Sequence, residues 1–499
     1  MKLFGFEVHR TKSKQGVSPL AKRAYQSAVL NRLTADWTTT NKSANAELRT
    51  TLRPMRARAR ELEQNNSYAK KFLNMIHGGV IGPNGIRLQS RPLESDGQTV
   101  DRADSKLIEG RFEQWSQKGI CTMDGALSFI DAQRLFIKSV ARDGEILVRK
   151  VTGNTAGNKF GFALQFIEAD QLDEDHCRDL GNGSKIYMGV ELNAWSRPVA
   201  YHVLNEHPGN DTYAWSGKRY TRIPADEIMH LFVVDRAGQT RGVPWMHAGM
   251  QLLKMHGAYQ EAELVAARVA AAKMGFFVSP DGDAMEGEEG ADGSLTMEAE
   301  AGMFEQLPNG TDFRSWDPQH PNSGYGEFTK DLLRSFSSGV GVAYNGLGND
   351  LEGVNFSSIR QGAIEERDSF RALQVWCAQH FMQPVFEDWL KWSMTTGALP
   401  LPPRKFGKFV ATAWQPRGWQ WIDPKKDIEA NIAMINAGLK SRSDVMAEQG
   451  RDFDDTISRL KAEEDALDKA GIRISTDTAS NVPPQNGEVN NAEQDDEDT

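Results

Sequence analysis

In "ARELEQNNSYAKKFLNMI", Leu62, Ala69, Phe72, Leu73 and Ile76 recur at helical spacing, which predicts one helix with a single apolar stripe. The stretch before it, "RPMRARAR", sets Arg53, Arg56, Arg58 and Arg60 close together. A nucleic-acid patch is one reading of those arginines. A solvated face of the same helix is the other, and periodicity favours it. "HGGVIGPNGIRLQSRP" then reads as Gly, Pro and Asn punctuation around a short strand. Residues 101 to 142 read as mostly helical, broken near "KGICTMDGALS", where Asp124 is expected to start a second helix that ends at Asp143 and Gly144. From 145 to 235 the pattern shortens to strands, "EILVRKV", "FALQFIEA", "IYMGVELN", "PVAYHVL" and "IMHLFVV". The body is therefore expected to be α+β.

The pattern changes at "DRAGQTRGVPWM". Pro244 suits a first helical turn, and an Ala- and Met-rich run continues from it to about Met274. About 30 helical residues would make a rod about 45 Å long. Next, residues 281 to 305 hold nine acids and no Lys or Arg. A calcium loop is excluded there, because Met285 and Glu286 fall where a short oxygen ligand and the turn glycine are needed. A second helix is expected from about 326, "GEFTKDLLRSFSSGVGV". After it comes "VAYNGLGNDLEGVNFSS", residues 342 to 358, with three glycines, three asparagines, two acids and no Lys or Arg. A long helix follows, in which Ile359, Ala363, Phe370, Leu373, Cys377, Phe381, Val385 and Trp389 recur near helical spacing and Pro384 predicts a kink. "KFVATAWQPRGWQWIDP" reads as strand and turn, and a helical pair closes the chain before its tail.

Composition frames these elements. At 499 residues the chain has room for roughly three domains. No apolar run approaches the roughly 18 residues of a membrane span, and "MKLFGF" is too short for a signal-peptide core. Cys121, Cys177 and Cys377 are far apart and form no C-x-x-C pair, so a disulfide framework or zinc site is not expected. The net charge of -10 hides an asymmetry: residues 1 to 72 carry 15 Lys/Arg against 5 Asp/Glu, and residues 423 to 499 carry 9 against 19. The last residues, "TASNVPPQNGEVNNAEQDDEDT", nearly lack large apolar side chains and are expected to be a disordered acidic tail.

Catalytic signatures are missing. The sequence has no P-loop, no G-x-S-x-G elbow and no H-E-x-x-H pair. "GVGVAYNGLG" is glycine-rich but follows a predicted helix, whereas a dinucleotide loop follows a strand. The best candidate for chemistry is "EADQLDEDHC", where Glu168, Asp170, Asp173, Asp175 and His176 could surround a divalent ion as a nuclease or phosphoesterase requires. Acids at such mixed spacings more often line a solvated turn. No catalytic residue, metal or cofactor is expected.

The order of "ARARELEQNNSYAKKFLNMIHGGVIGPNGIRLQ", "FIEADQLD", "GVELNAWSRPVAYHVL", "IPADEIMHLF", "QTRGVPWM" and "FTKDLLRSFSSGVGVAYNGLGNDLEGVNFSSIRQGAIEERDSF" resembles the lambda-like portal proteins of tailed bacteriophages. That resemblance implies a ring at one capsid vertex, typically of about twelve subunits, through which double-stranded DNA is packaged and later ejected. It implies a basic N-terminal segment (1–49), a wing (50–240), a first stem helix (241–275), a clip (276–325) and a second stem helix (326–343). A tunnel loop (344–357), a long kinked helix (358–395), further wing strands (396–424), a helical crown (425–473) and the tail (474–499) complete the expected order. Implied partners are further copies of the chain, DNA without sequence specificity, the terminase large subunit, the major capsid protein and scaffold, and a head–tail adaptor. No membrane is implied. In the tunnel loop, Asn345, Asn349, Asp350, Glu352 and Asn355 would brush phosphates through water without a cation to trap them, and Arg360 would be the nearest direct phosphate contact. A head or tail ring without a DNA tunnel is the other structural reading.

Overall fold

The computed structural model describes residues 34–210, 219–271, 324–353, 355–421 and 423–471, residues 28 and 32, and short strands at 2–3, 6–7, 275–278, 288–289, 295–296 and 312–315. Most of the basic N-terminal segment, most of the clip and the acidic tail fall outside the described residues.

Helices α1 (Ala44–Asn65) and α2 (Ser67–Val80) replace the single helix expected over 59–76. The break is Asn66, which leaves helical geometry at φ -119° and whose side-chain oxygen accepts from the amides of Tyr68 and Ala69, capping α2. The predicted stripe, Leu62, Ala69, Phe72, Leu73 and Ile76, is buried throughout. On α1 the buried face runs Ala44, Leu48, Leu52, Arg56, Ala59 and Leu62, so a guanidinium occupies a core position. Helix α3 (Arg102–Trp115) and α4 (Phe129–Asp143) follow. Asp124 does not start α4. Its carboxylate accepts from the Thr122 hydroxyl and the Ala126 amide in the preceding turn, and Ser128 with Asp131 forms the capping box instead.

Two antiparallel sheets come next. One has the order Ile228–Phe232, Glu145–Thr152, Phe162–Ile167, and the other is a five-stranded meander from Arg178–Gly181 to Tyr220–Pro224. The expected strand "IYMGVELN" is two strands, Ser184–Tyr187 and Val190–Leu192, because Met188 and Gly189 both turn at positive φ. A third sheet pairs Arg87–Ser90 with Thr412–Gln415, joining the two ends of the body.

After a 3-10 turn at Trp245–Ala248, α5 (Met250–Ala271) begins six residues later than the rod expected from Pro244. The remainder of the expected rod, residues 272–274, lies outside the described residues. Helix α6 (Tyr325–Val340) packs beside α5 through Tyr259 against Tyr325 and Phe328, each at 5.5 Å between ring centroids. A short helix α7 (Tyr344–Gly348) precedes α8 (Phe356–Cys377), a π-helical turn at Ala378–Met382 and α9 (Gln383–Thr395). The wide turn lies where Pro384 removes an amide donor, which gives the predicted irregularity its form. From Phe370 onward, Cys377, Phe381, Val385 and Trp389 are buried as expected, whereas Ile359, Ala363 and Leu373 are only half-buried.

The main core is aromatic and joins chain-distant elements. Trp389 of α9 meets Phe112 edge-on at 5.0 Å, and Trp115 donates its indole N–H to the Phe162 carbonyl at 2.8 Å. After α10 (Phe406–Phe409), the closing helices are three rather than a pair: α11 (Pro424–Asn436), α12 (Arg442–Glu448) and α13 (Phe453–Ala470). Gly438, at φ 72°, divides the first predicted helix, and Ser441 with Asp444 caps the next. All three cysteines are free. Among the described residues no helix is long and apolar enough to cross a membrane.

Candidate functional site

The segment between α6 and α8 is held at several points. Helix α6 stops at Gly341, which takes the left-handed conformation, and Val342 then turns inward and is buried. The Ala343 amide donates to Glu366 of α8 at 3.1 Å. Burial raises the Glu366 carboxyl above its ordinary range, and the bond from Ala343 only partly offsets it. Where a loop was expected, five residues are helical, because Leu347 fits a buried site and pins α7 against the body. Asn345 lies half-buried on that helix.

Asn349 closes α7 at φ 50° and accepts from Lys71 of α2 at 3.2 Å. Asp350 accepts from the Tyr344 hydroxyl at 2.9 Å and from the Glu352 amide at 3.0 Å. Lys330 of α6 reaches both acids, 3.2 Å from Asp350 and 3.1 Å from Glu352. The Tyr344 hydroxyl first, then the Glu352 amide and Lys330, hold the Asp350 carboxyl below its ordinary range. Asn355 caps α8 by accepting from the Ser358 amide at 2.8 Å. Arg360, one turn into α8, pairs with Asp427 of α11 at 2.7 Å.

The segment thus carries no cation of its own, yet its acids share one from α6. Sequence reasoning missed Lys330. The i, i+3/i+4 grammar of a helix could not pair it with residues beyond the next turn. It also missed Glu366, whose only signal was an acid on the inward side of α8.

The arginines of α1 and the acids of "EADQLDEDHC" meet one another. Arg56, 1% exposed, bonds Glu145 at 3.1 Å and Asp170 at 3.0 Å and also contacts Glu174. Arg60 bonds Asp143 at 2.8 Å and also Asp170, and Arg53 reaches Asp173, Glu174 and Asp175. At the centre the buried Glu145 carboxylate receives Arg241, His230 at 2.9 Å and the Gly242 amide at 2.9 Å. Burial alone would raise this carboxyl. Arg241 and then His230 reverse the effect and hold it well below the ordinary range. Arg241 spends its other donors on the carbonyls of Leu172, Met188 and Ala169.

Glu168, Asp170 and His207 do bring potential ligand atoms within 4.8 Å of one another. However, Asp170 already accepts from Arg56 and Arg60, so positive charge fills the place of a cation. Asp173 accepts from the Tyr220 hydroxyl at 2.7 Å, and the His176 ring stacks on Tyr220 at 4.2 Å. The set resembles an internal ion-pair network, not a nuclease centre. The basic patch and the solvated face expected of the α1 arginines give way to this network for Arg56 and Arg60, while Arg58 is exposed.

Comparison with known proteins bears on both regions. The family described as "Phage portal protein, lambda family" matches residues 30–374. The "Probable portal protein" of Halomonas phage phiHAP-1 is 38% identical over 463 residues, covering 91% of this chain and 88% of that one. The chain belongs to the lambda family of phage portal proteins. "Portal protein B" of Escherichia phage lambda is 23% identical over 482 residues, covering 88% of each chain. Among solved structures, the neck of a native gene transfer agent particle with C12 symmetry aligns at a TM-score of 0.42 and 13% identity, covering 79% of this chain and 93% of that one.

Portal proteins of this family are structural and not enzymatic, and they work as oligomeric rings in the virion. The match spans α1 to most of α8. It therefore includes both the internal network and the segment held by Lys330.

Proposed function

We propose that about twelve copies of this chain close into the ring at one capsid vertex, forming the channel for packaging and ejection of double-stranded DNA. Family membership across the α5, α6 and α7 region carries this reading. Helices α5 and α6 are the stem. They leave exposed Met255, Leu264 and Val265 on α5 and, beside its contact with Tyr259, part of Phe328 on α6, apolar area that a neighbouring copy would cover. The α+β body of residues 50–240 with the strands after 395 is the wing, and α11 to α13 are the crown. The clip between the stem helices is the face where the terminase large subunit and later the head–tail adaptor dock, while the wing meets major capsid protein and scaffold.

Residues 344–357 form the tunnel loop. DNA carries one charge per about 1.7 Å of axis, so a collar of free cations would bind it tightly through counterion release and retard its passage. Here Asn345, Asn349, Asp350, Glu352 and Asn355 offer no unshared cation, and Lys330 removes part of the repulsion that two acids per subunit would create. A weakly charged wall suits sliding. Arg360, engaged by Asp427, joins the loop's exit to the crown and is not a free phosphate ligand.

The test is packaging in vitro with rings lacking residues 349–355, whose assembly is first checked by mass. Loss of packaged DNA from intact rings supports the tunnel assignment, and normal packaging contradicts it.

A further inference from the structure

Arg360, Arg367 and Arg371 lie at spacings of seven and four residues and so share one face of α8. That face looks onto the segment leading to the crown. Arg367 and Arg371 stand over the ring of Trp419, 5.9 and 5.5 Å from its centre, and Arg417 joins them at 5.4 Å. Three guanidiniums on one indole exceed what a structural stack needs.

Arg417 has structural partners, donating to the carbonyl of Gly78 and packing its methylenes on Gly82. Among the described residues Arg371 pairs only with Asp368, an exposed i, i+3 contact of the kind worth little. Arg367 makes no ion pair with any described residue, and its polar contact is the Gln420 carbonyl at 3.4 Å. The nearby carboxylates are engaged elsewhere, Asp427 by Arg360 and Glu366 by the Ala343 amide. Partial burial, then the like charges of Arg371 and Arg417, lowers the Arg367 pKa, and the attraction of Asp427 and Glu366 offsets this only in part, so an anion placed there would relieve the remaining repulsion.

We propose that Arg367, Arg371 and Arg417 on Trp419 form a phosphate site for the backbone of double-stranded DNA, at the junction of α8 and the crown and separate from the tunnel loop. Guanidiniums bind phosphate oxygens in pairs, and an indole holds them in plane without neutralising them. The choice of DNA among polyanions rests on the channel reading. A portal then has two kinds of wall: a loop that lets DNA slide, and a basic station beyond it that holds the DNA.

The experiment measures binding of a short mixed-sequence duplex to full-length rings across salt concentrations, with light scattering on the same samples. Arg367→Gln with Arg371→Gln is expected to weaken binding about ten-fold at low salt and to lower the salt slope by about one or more. Arg49→Gln with Arg58→Gln removes the same charge from exposed sites on α1 and is expected to change binding far less. Arg371→Gln alone removes an exposed side chain and should keep the ring intact with an intermediate effect.

Equal losses in the two double variants, or none in either, would overturn the site. Replacing chloride by inorganic phosphate at equal ionic strength should leave the duplex bound, and its full displacement would mark a small-anion site instead. If the duplex reaches the cluster only after residues 474–499 are removed, the chain's own acidic tail is the occupant and the proposal is wrong. Absence of rings on light scattering would fault the channel reading. Rings whose DNA binding ignores the cluster would fault this inference alone.

Discussion

The network around Glu145 and the segment from Val342 to Asn355 use the same chemistry, carboxylates answered by cations, with opposite results. In the first, Arg56 and Arg241 are 1% and 0% exposed, and their bonds to Glu145 lie out of reach of water. In the second, Lys330 and Glu352 are 35% and 84% exposed, so water competes for both partners. The difference is burial. A buried charge that loses its partner is stranded at a cost of several kcal/mol, whereas an exposed pair exchanges with solvent for almost nothing. The network can therefore fix α1 rigidly against the first sheet and the residues before α5, whereas in the segment Val342 and Leu347 are buried anchors and only the exposed stretch around Glu352 is free to shift at little cost.

The largest effect should come from breaking the buried side of that comparison. Arg241→Met leaves Glu145 in the core without its main partner and frees three backbone carbonyls, and about 3–5 kcal/mol of stability should be lost from the α+β body. Urea unfolding followed by tryptophan fluorescence would show this as an early separate transition; an unchanged profile would mean that the network is not structural.

Next in size is a cap at the exposed end. Asn355→Ala removes the acceptor for the Ser358 amide and should cost about 1 kcal/mol, confined to the start of α8. Hydrogen exchange should rise over the first turn of α8 and stay level in α9.

Glu109 offers an intermediate case, half-buried beside the third sheet and accepting from the Ser90 amide at 2.7 Å. Burial, with Asp455 of α13 and its capping residue Asp452 adding, pushes its carboxyl from 4.5 up to about 6. Because the folded value is the higher one, the unfolded chain ionises first. Stability should therefore fall as pH rises from about 4.5 through about 6, and stay reduced above it. Glu109→Gln keeps an acceptor for Ser90 and should add on the order of 1 kcal/mol at neutral pH, discounted for its partial exposure, with little gain at pH 4. A gain independent of pH would show that ionisation is not the cause.

The smallest effect on stability belongs to Lys330→Met, at under about 0.5 kcal/mol. On the proposed tunnel-loop reading its effect on function should be larger, because Asp350 and Glu352 would lose the cation they share in every subunit. Packaging rate should fall most at low salt, where repulsion is least screened, and recover as salt is raised. A rate loss unaffected by salt would point to loop position instead of charge.

Much of this architecture is legible in the sequence, for identifiable reasons. Strand alternation, the stripe through Phe72 and Ile76, the Ala- and Met-rich α5 and the kink before Pro384 are local patterns, and local patterns survive folding. The arginines of α1 are legible as a group but not as ligands. Their stripe position at Arg56 is that of an apolar residue, and the acids that receive them lie about a hundred residues away. Lys330 and Glu366 escaped notice for the same reason. Their roles depend on how α6 and α8 lie beside α7, which no spacing within one element encodes.

The most direct test of the ring channel is the mass of the purified protein by light scattering, with negative-stain images of the same peak. The account predicts closed rings of about twelve chains with a central opening that passes a duplex. A chain that stays monomeric or dimeric, alone and in the presence of capsid and scaffold proteins, would contradict it.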